Sequence, residues 1–370
     1  MQIKRTIEKV PGGLMVVPLL FGALLNTLDQ MHIPAIMGFL KSIGVTPVKP
    51  GIYEFLRIGG FAQFLFKDGA MTLIALFLFC CGSQMNLRVG GVALKKGVIL
   101  TASKYFTGLF VGVLWGKLSG DMMNGFLGLS TVAIIAAMTN GNGGMYAALT
   151  GQYGNRSDVG AVAVLSLNDG PFFTLMALGM LGASFPIIAF IAVLLPIGIG
   201  MLLGNLDPDI REFLRPGESL PVPFFAFALG AGMNFANFFN PQVVVAGLTL
   251  GFMTTVLTGL MGILSFKIFR EKSQIAPVAE ASTAGNAVGT PAAIAAAAAV
   301  AAGSGMMSPA EAQAYKNIVE LATVQVSLST LTTAILCPIA VILMDKWQRS
   351  RGIDGKLESN EITQTTTHQV

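Results

Sequence analysis

Apolar runs of about twenty residues, almost free of charge, recur from one end of this chain to the other. A helix of roughly twenty such residues crosses the hydrocarbon layer of a bilayer. Inside that layer every backbone polar group must be satisfied by the segment itself, a demand that helices meet. The runs therefore predict an all-α polytopic membrane protein. Composition agrees, since 53% of the 370 residues are hydrophobic and only 11% are charged. That is too little charge to cover a soluble domain of this length.

Hydropathy and helix breakers place ten spans, near 12–29, 70–87, 92–116, 124–153, 157–181, 184–204, 219–237, 241–267, 273–303 and 314–345. The start has the basic lead and apolar run of a signal peptide but no small-x-small cleavage site at the right place, so it reads as a retained first span. Segment 30–69 is amphipathic and is expected to cover the interface. The polar tail, 346–370, is expected to be disordered. Lys and Arg concentrate at the N-terminus, in the tail and around the connections after even-numbered spans, which puts both termini in the cytoplasm. The net charge of +4 follows from that topology, and nothing suggests a nucleic-acid partner. Cys80, Cys81 and Cys337 lie in apolar segments, as small hydrophobes do. The only histidines, His32 and His368, stand apart from any Cys or carboxylate pair, so no metal site is expected.

The ten spans fall into two halves. "FLFCCGSQMNL" (Phe77–Leu87) matches "FAFALGAGMNF" (Phe225–Phe235) 148 residues on, and "VPLLFGALLNTLD" (Val17–Asp29) matches "LPIGIGMLLGNLD" (Leu195–Asp207) 178 residues on. "TNGN" (Thr139–Asn142) faces "TAGN" (Thr283–Asn286) 144 residues on. Five spans per half is an odd number, so the second half (182–345) enters from the opposite side to the first (1–181). Inverted repeats of this kind are a transporter architecture with the binding site between the halves.

Spans 4 and 9 are long and interrupted. "TNGNGG" splits the fourth and "TAGNAVGTP" the ninth, each near mid-depth. Unwound backbone there is tolerated only when buried in protein or lining a wet cavity. Each break starts a second half-helix whose free N–H groups and dipole favour an anion, and Pro291 suits the first turn of one. The expected solute ligands are Asn140, Asn142, Asn286, Thr139, Thr283 and Thr290; simple glycine kinks with local Asn bonding are the plainer alternative. Glu280, just before the second break, and Asp169 in "SLNDGPFF" are candidate coupling carboxylates, because charge in hydrocarbon is costly and usually functional. Glu280 can serve a proton or a sodium ion equally well. Both carboxylates could instead be partners of Lys104, which could also snorkel to the interface. Asn86 and Asn234 read as caps, Gln84 leans towards a site role, and Glu320 and Gln325 are weaker candidates.

With "IEKVPGGLMVVPLL", "FCCGSQMN", "MTNGNGGMYAALTGQYG", "SLNDGPFFT" and "AEASTAGNAVGTPAA" on the page, the chain closely resembles the bacterial 2-keto-3-deoxygluconate permeases over all but its tail. The resemblance implies an inner-membrane proton symporter that imports this sugar acid from pectin breakdown, without a cofactor. It also implies a ten-span fold like that of the bile-acid:sodium symporters, with spans 4 and 9 unwound and crossing. That wider family carries a Glu before the span-9 crossing and Ser, Thr or Asn ligands from spans 4 and 5. Glu280, Asn142, Ser166 and Asn168 fall near those positions. The sodium-binding Gln expected after the Glu is replaced by Ala284 and Gly285, which favours protons over sodium. The expected function is thus proton-coupled uptake of 2-keto-3-deoxygluconate by alternating access, with sodium-coupled uptake of another organic anion as the rival. An enzyme would need a nucleophile–base pair or metal cluster, and the sequence offers neither.

Overall fold

A computed structural model describes residues 2–7, 9–10, 13–85, 91–165, 171–180 and 187–359. Among these residues there is no strand, only an isolated bridge between Lys49 and Ile52. The fold is carried by helices α1 (Gly13–Gln30), α2 (Ala70–Gln84), α3 (Gly91–Ser119), α4 (Thr131–Thr139), α5 (Gly143–Tyr153), α6 (Phe172–Met180), α7 (Ile187–Leu206), α8 (Val222–Gly230), α9 (Pro241–Ile268), α10 (Ile275–Ala279), α11 (Thr290–Gly303) and α12 (Pro309–Arg349).

Helices α1, α3, α9, α12 and the stretch Asn286–Gly303 are each long and apolar enough to cross a bilayer. A sixth candidate joins Gly60–Asp68 to α2 through a 70° bend. The remaining expected spans are divided. Helices α4, α5, α8 and α10 have 9, 11, 9 and 5 residues, too short to cross alone at about 1.5 Å per residue. Glycine, asparagine and proline between the pieces cause the division.

Small residues set the closest helix contacts. A Cβ on Gly22 of α1 would lie 2.2 Å from the Phe227 carbonyl oxygen of α8, and one on Gly230 of α8 would lie 2.0 Å from the Leu19 oxygen of α1. On α7 and α2 the same contact recurs: Gly200 against the Phe79 oxygen at 1.9 Å, Gly82 against the Ile197 oxygen at 2.2 Å. The Asn26 side chain donates to the Met233 carbonyl at 2.9 Å, and the Asn205 side chain to the Met85 carbonyl at 2.7 Å. Along α3, Gly108, Gly112 and Gly116 stand four apart and receive Thr139, Ile135 and Thr131 of α4. This small-xxx-small spacing allows the backbone approach that membrane helices use in place of a hydrophobic drive.

The tail departs from its expected disorder. Helix α12 runs on to Arg349, and residues 351–359 pack against the ends of α5 and α10. Ser157 donates to the Glu358 carboxylate through its backbone N–H (2.9 Å) and its hydroxyl (2.7 Å), and Ser359 donates to Glu271 at 2.8 Å. The reason is a buried charge cluster. Lys96, 1% exposed, donates to Asp158 at 2.6 Å and lies 3.7 Å from Glu358 and 4.0 Å from Glu271. A buried ammonium is tolerable only when surrounded by such partners, and the tail supplies one of them. Burial alone would raise the Glu271 carboxyl, but Lys95, Ser359 and Lys96 together hold it below its ordinary range. Residues 360–370 lie outside the described residues. Segment 31–69 is held on by Asp29, which accepts from the backbone of Phe55 and Leu56 at 2.7 and 3.0 Å, and by Lys67, which donates to Asn26 and to the Ala231 carbonyl.

Candidate functional site

The two breaks meet. Helix α4 starts on the Ser130 cap, whose hydroxyl accepts from Ala133 N–H, and all nine of its residues are buried. It ends where Asn140 turns extended (φ −101°, ψ 119°), and α5 begins two residues later on the Asn142 cap, which accepts from Met145 N–H at 3.0 Å. In the other interrupted stretch, α10 ends at Glu280 and a 3-10 turn, Asn286–Gly289, leads into α11 with Pro291 in its first turn, as expected. Ala284 N–H donates to the Asn140 carbonyl (3.1 Å), and Asn142 N–H donates to the Ser282 hydroxyl (3.2 Å). Each break therefore repairs part of the other's lost helical bonding. Tyr153, at the end of α5, and Ile275, at the start of α10, both touch Gly355 in the tail. The end of α5 and the start of α10 thus lie side by side, and the two breaks lie at the other end of each of these helices.

Helix α12 completes the repair. Thr333 accepts from Thr283 N–H (3.0 Å), Thr330 donates to the Ala284 carbonyl (3.1 Å), Ser329 pairs with the Thr283 hydroxyl (2.8 Å), and Cys337 donates to the carbonyls of Val278 and Ala279. Sequence reasoning missed this hydroxyl row, although "SLSTLTT" (Ser327–Thr333) inside an apolar span was its visible signal.

Glu280 and Lys104 sit at the junction itself, 3% and 2% exposed. Lys104 does not snorkel. Its Nζ donates to the carbonyls of Glu280 (2.5 Å) and Ser282 (2.6 Å) and lies 3.4 Å from Glu280 Oε1. The alternative of an ion pair with Glu280 is the one realised, because α3 places this residue level with the breaks and not near an interface. The Glu280 carboxylate occupies the space that a side chain on Gly141 would need: a Cβ there would lie 1.9 Å from Oε1 and 2.7 Å from Cδ. One ion pair thus links α3, the break after α10 and the break after α4.

Beside the junction lies a cavity of about 490 Å³, within the usual range for a small-molecule site. Asn142, Gly143 and Gly144 at the start of α5, and Ala284, Gly285 and Asn286 at the second break, form one wall. Met15 of α1, Phe77 and Cys81 of α2, and Val222 of α8 form the other. The free N–H groups at the α5 N-terminus make that wall suited to an anion. Glu218 also lines this cavity; it is solvent-accessible, yet the atoms packed around it raise its carboxyl, against the pull of Arg215.

Of the residues picked from sequence, Asn142 and Asn286 line the cavity. Asn140, Thr139 and Thr283 are buried in the junction. Thr139 donates to Ile135 O, and the Asn140 amide nitrogen to Ala136 O, leaving Asn140 Oδ1 without a partner among the described residues. The buried Thr290 hydroxyl is likewise unpartnered among them. Gln84 points elsewhere, donating to the Arg211 carbonyl at 2.7 Å. Asn234 caps the short turn Phe235–Phe239, accepting from Ala236 N–H. Glu320 accepts from Asn234 N–H and Asn237, and Gln325 donates to the Gly128 carbonyl, both away from the cavity. Ser166, Asn168, Asp169 and Asn86 lie outside the described residues. No cluster of metal-ligating side chains occurs among the described residues.

A family model described as 2-keto-3-deoxygluconate permease matches residues 4–48 and 29–350. The chain is 43% identical over 364 residues to 2-keto-3-deoxygluconate permease 1 of Salmonella typhimurium, covering 97% of this chain and 100% of that one. It is 34% identical to the 2-keto-3-deoxygluconate permease of Bacillus subtilis, with 94% of each chain covered. Against the permease of Dickeya chrysanthemi the identity is 33% over 100% of this chain and 98% of the other.

Proposed function

The chain belongs to the 2-keto-3-deoxygluconate permease family, and on that premise we propose that it imports 2-keto-3-deoxygluconate together with protons across the bacterial inner membrane. Its relatives are permeases and not enzymes. The observation that carries the proposal is the cavity against the α5 N-terminus, one side chain away from a buried carboxylate–ammonium pair. The solute carboxylate binds the N–H groups of Gly143 and Gly144, and Asn142 and Asn286 meet its hydroxyls. Thr139, Asn140, Thr283 and Thr290 shape the junction behind them. Glu280 carries the coupling proton; Asp169, Asn168 and Ser166 are its proposed associates from the fifth span.

Ten spans in two inverted repeats suit the contacts described above. The pairs Gly22–Phe227 and Gly200–Phe79, and the pairs Gly230–Leu19 and Gly82–Ile197, exchange under the same offsets, 178 and 148, that align the sequence halves. Met233 and Met85, which accept from the Asn26 and Asn205 side chains, are also 148 apart. Two crossed breaks between such repeats form a site that rocking of one bundle against the other exposes to each side in turn. The cavity is flanked by the N-terminal segment and the 207–221 connection, both cytoplasmic on the distribution of basic residues, so the conformation described faces inward.

Uptake of labelled 2-keto-3-deoxygluconate into proteoliposomes is the test. With an inward proton gradient and no sodium, the solute should accumulate above its outside concentration, and a protonophore should collapse it. Accumulation that follows a sodium gradient and ignores the proton gradient would reject proton coupling.

A further inference from the structure

We propose that the Lys104 ammonium is a built-in cation: it fills an oxygen cage at the end of α10 in which a free sodium ion would otherwise bind, and so sets the ion specificity of the transporter. The proposal rests on the coupling role given above to the junction, and it assigns to Lys104 the task of excluding sodium.

The ligand set is the first ground. Lys104 Nζ has the Glu280 carbonyl at 2.5 Å, the Ser282 carbonyl at 2.6 Å and the Glu280 carboxylate at 3.4 Å. Carbonyl and carboxylate oxygens are the hard donors that hold group I and II cations. Here they come from the C-terminal end of a half-helix, where the helix dipole is negative and where transporters of broken-helix design coordinate their coupling ions. The second ground is space. The crevice around the pair, lined by Leu100, Ser103, Thr258, Gly262 and Pro277, holds about 10 Å³, the lower limit for a single water. There is no room beside the ammonium for a second cation with a water shell, and like charge opposes a bare one. The third is origin. Lys104 reaches the cage from α3, a separate helix, so the cation stays tethered while the two breaks move. Removing the side chain leaves the cage intact, with the buried Ser103 hydroxyl, unpartnered among the described residues, as a further oxygen on its wall.

The experiment measures thermal unfolding of purified protein in detergent, in sodium, potassium and choline chloride at equal ionic strength, without solute. Wild type should show the same Tm in all three. Lys104→Ala, and Lys104→Ser as a second variant that keeps a hydroxyl, should each gain a saturable rise of a few degrees specific to sodium. A saturable sodium effect on wild type would overturn the proposal, as would folded variants indifferent to sodium. A merely structural lysine predicts loss of stability in the variants with no salt specificity. Because no solute is present, failure here is separable from failure of the transport proposal, which shows as absent uptake by wild-type proteoliposomes.

Discussion

Glu280→Gln is expected to abolish uphill accumulation of 2-keto-3-deoxygluconate while leaving downhill exchange of the solute intact. Glutamine keeps the shape of the side chain, so Gly141 still accommodates it, but it can neither release nor take up a proton. Lys104 loses its anionic neighbour, a change that costs about 3 kcal/mol in a buried pair, but keeps the two carbonyls at the end of α10, whose dipole still favours a cation; the variant should be less stable than wild type, and its transport is read on the protein that elutes folded. At one proton per solute anion, a gradient of one pH unit drives about tenfold accumulation. The variant should bring that ratio to one, with counterflow of labelled for unlabelled solute continuing. Accumulation that stayed dependent on the pH gradient in Glu280→Gln would remove this carboxylate from coupling.

Gly141→Ala should be nearly as severe by a different route. The added Cβ would fall 1.9 Å from Glu280 Oε1, and the carboxylate is the far end of a flexible side chain, so it would yield before the backbone does. Yielding takes it away from Lys104 and leaves two buried charges poorly paired. Separating a buried pair costs about 3 kcal/mol, which corresponds to roughly a hundredfold in a rate or population that depends on the paired state. Both exchange and accumulation should fall by about that factor in a protein that still elutes as a folded species. Activity within twofold of wild type would mean that the contact between the two breaks has no part in the cycle.

The breaks were legible because their chemistry is local. Asn142 caps a helix, Pro291 opens one, and glycine marks where bonding lapses, and each of these depends on residues within a turn of itself. The polar residues within the breaks were harder to assign. The place of Thr139 and Thr283 in "TxGN" suggests solute ligands, yet their hydroxyls go to the carbonyls of Ile135 and Ala137. An unwound backbone in an apolar interior has its own hydrogen bonds to find, and these threonines serve that need first. The partners supplied by α12 come from about fifty residues further on, a distance over which no local pattern operates. Lys104 was ambiguous for the same reason. Sequence gives its depth along α3 but not which break α3 packs beside, and only the tertiary arrangement separates an ion pair from a snorkelling side chain. The tail misled because polarity resembles disorder; Glu358 is ordered by Lys96, a buried charge that required an acid from elsewhere in the chain.

The claim on which everything else depends is that the solute carboxylate binds the free N–H groups at the start of α5, where the two interrupted stretches cross. An experimental structure with 2-keto-3-deoxygluconate bound tests it most directly. The carboxylate should lie within hydrogen-bonding reach of the Gly143 or Gly144 backbone nitrogen, with the hydroxyls towards Asn142 and Asn286. A solute held elsewhere, or held here with its carboxylate turned away from both glycines, would contradict it.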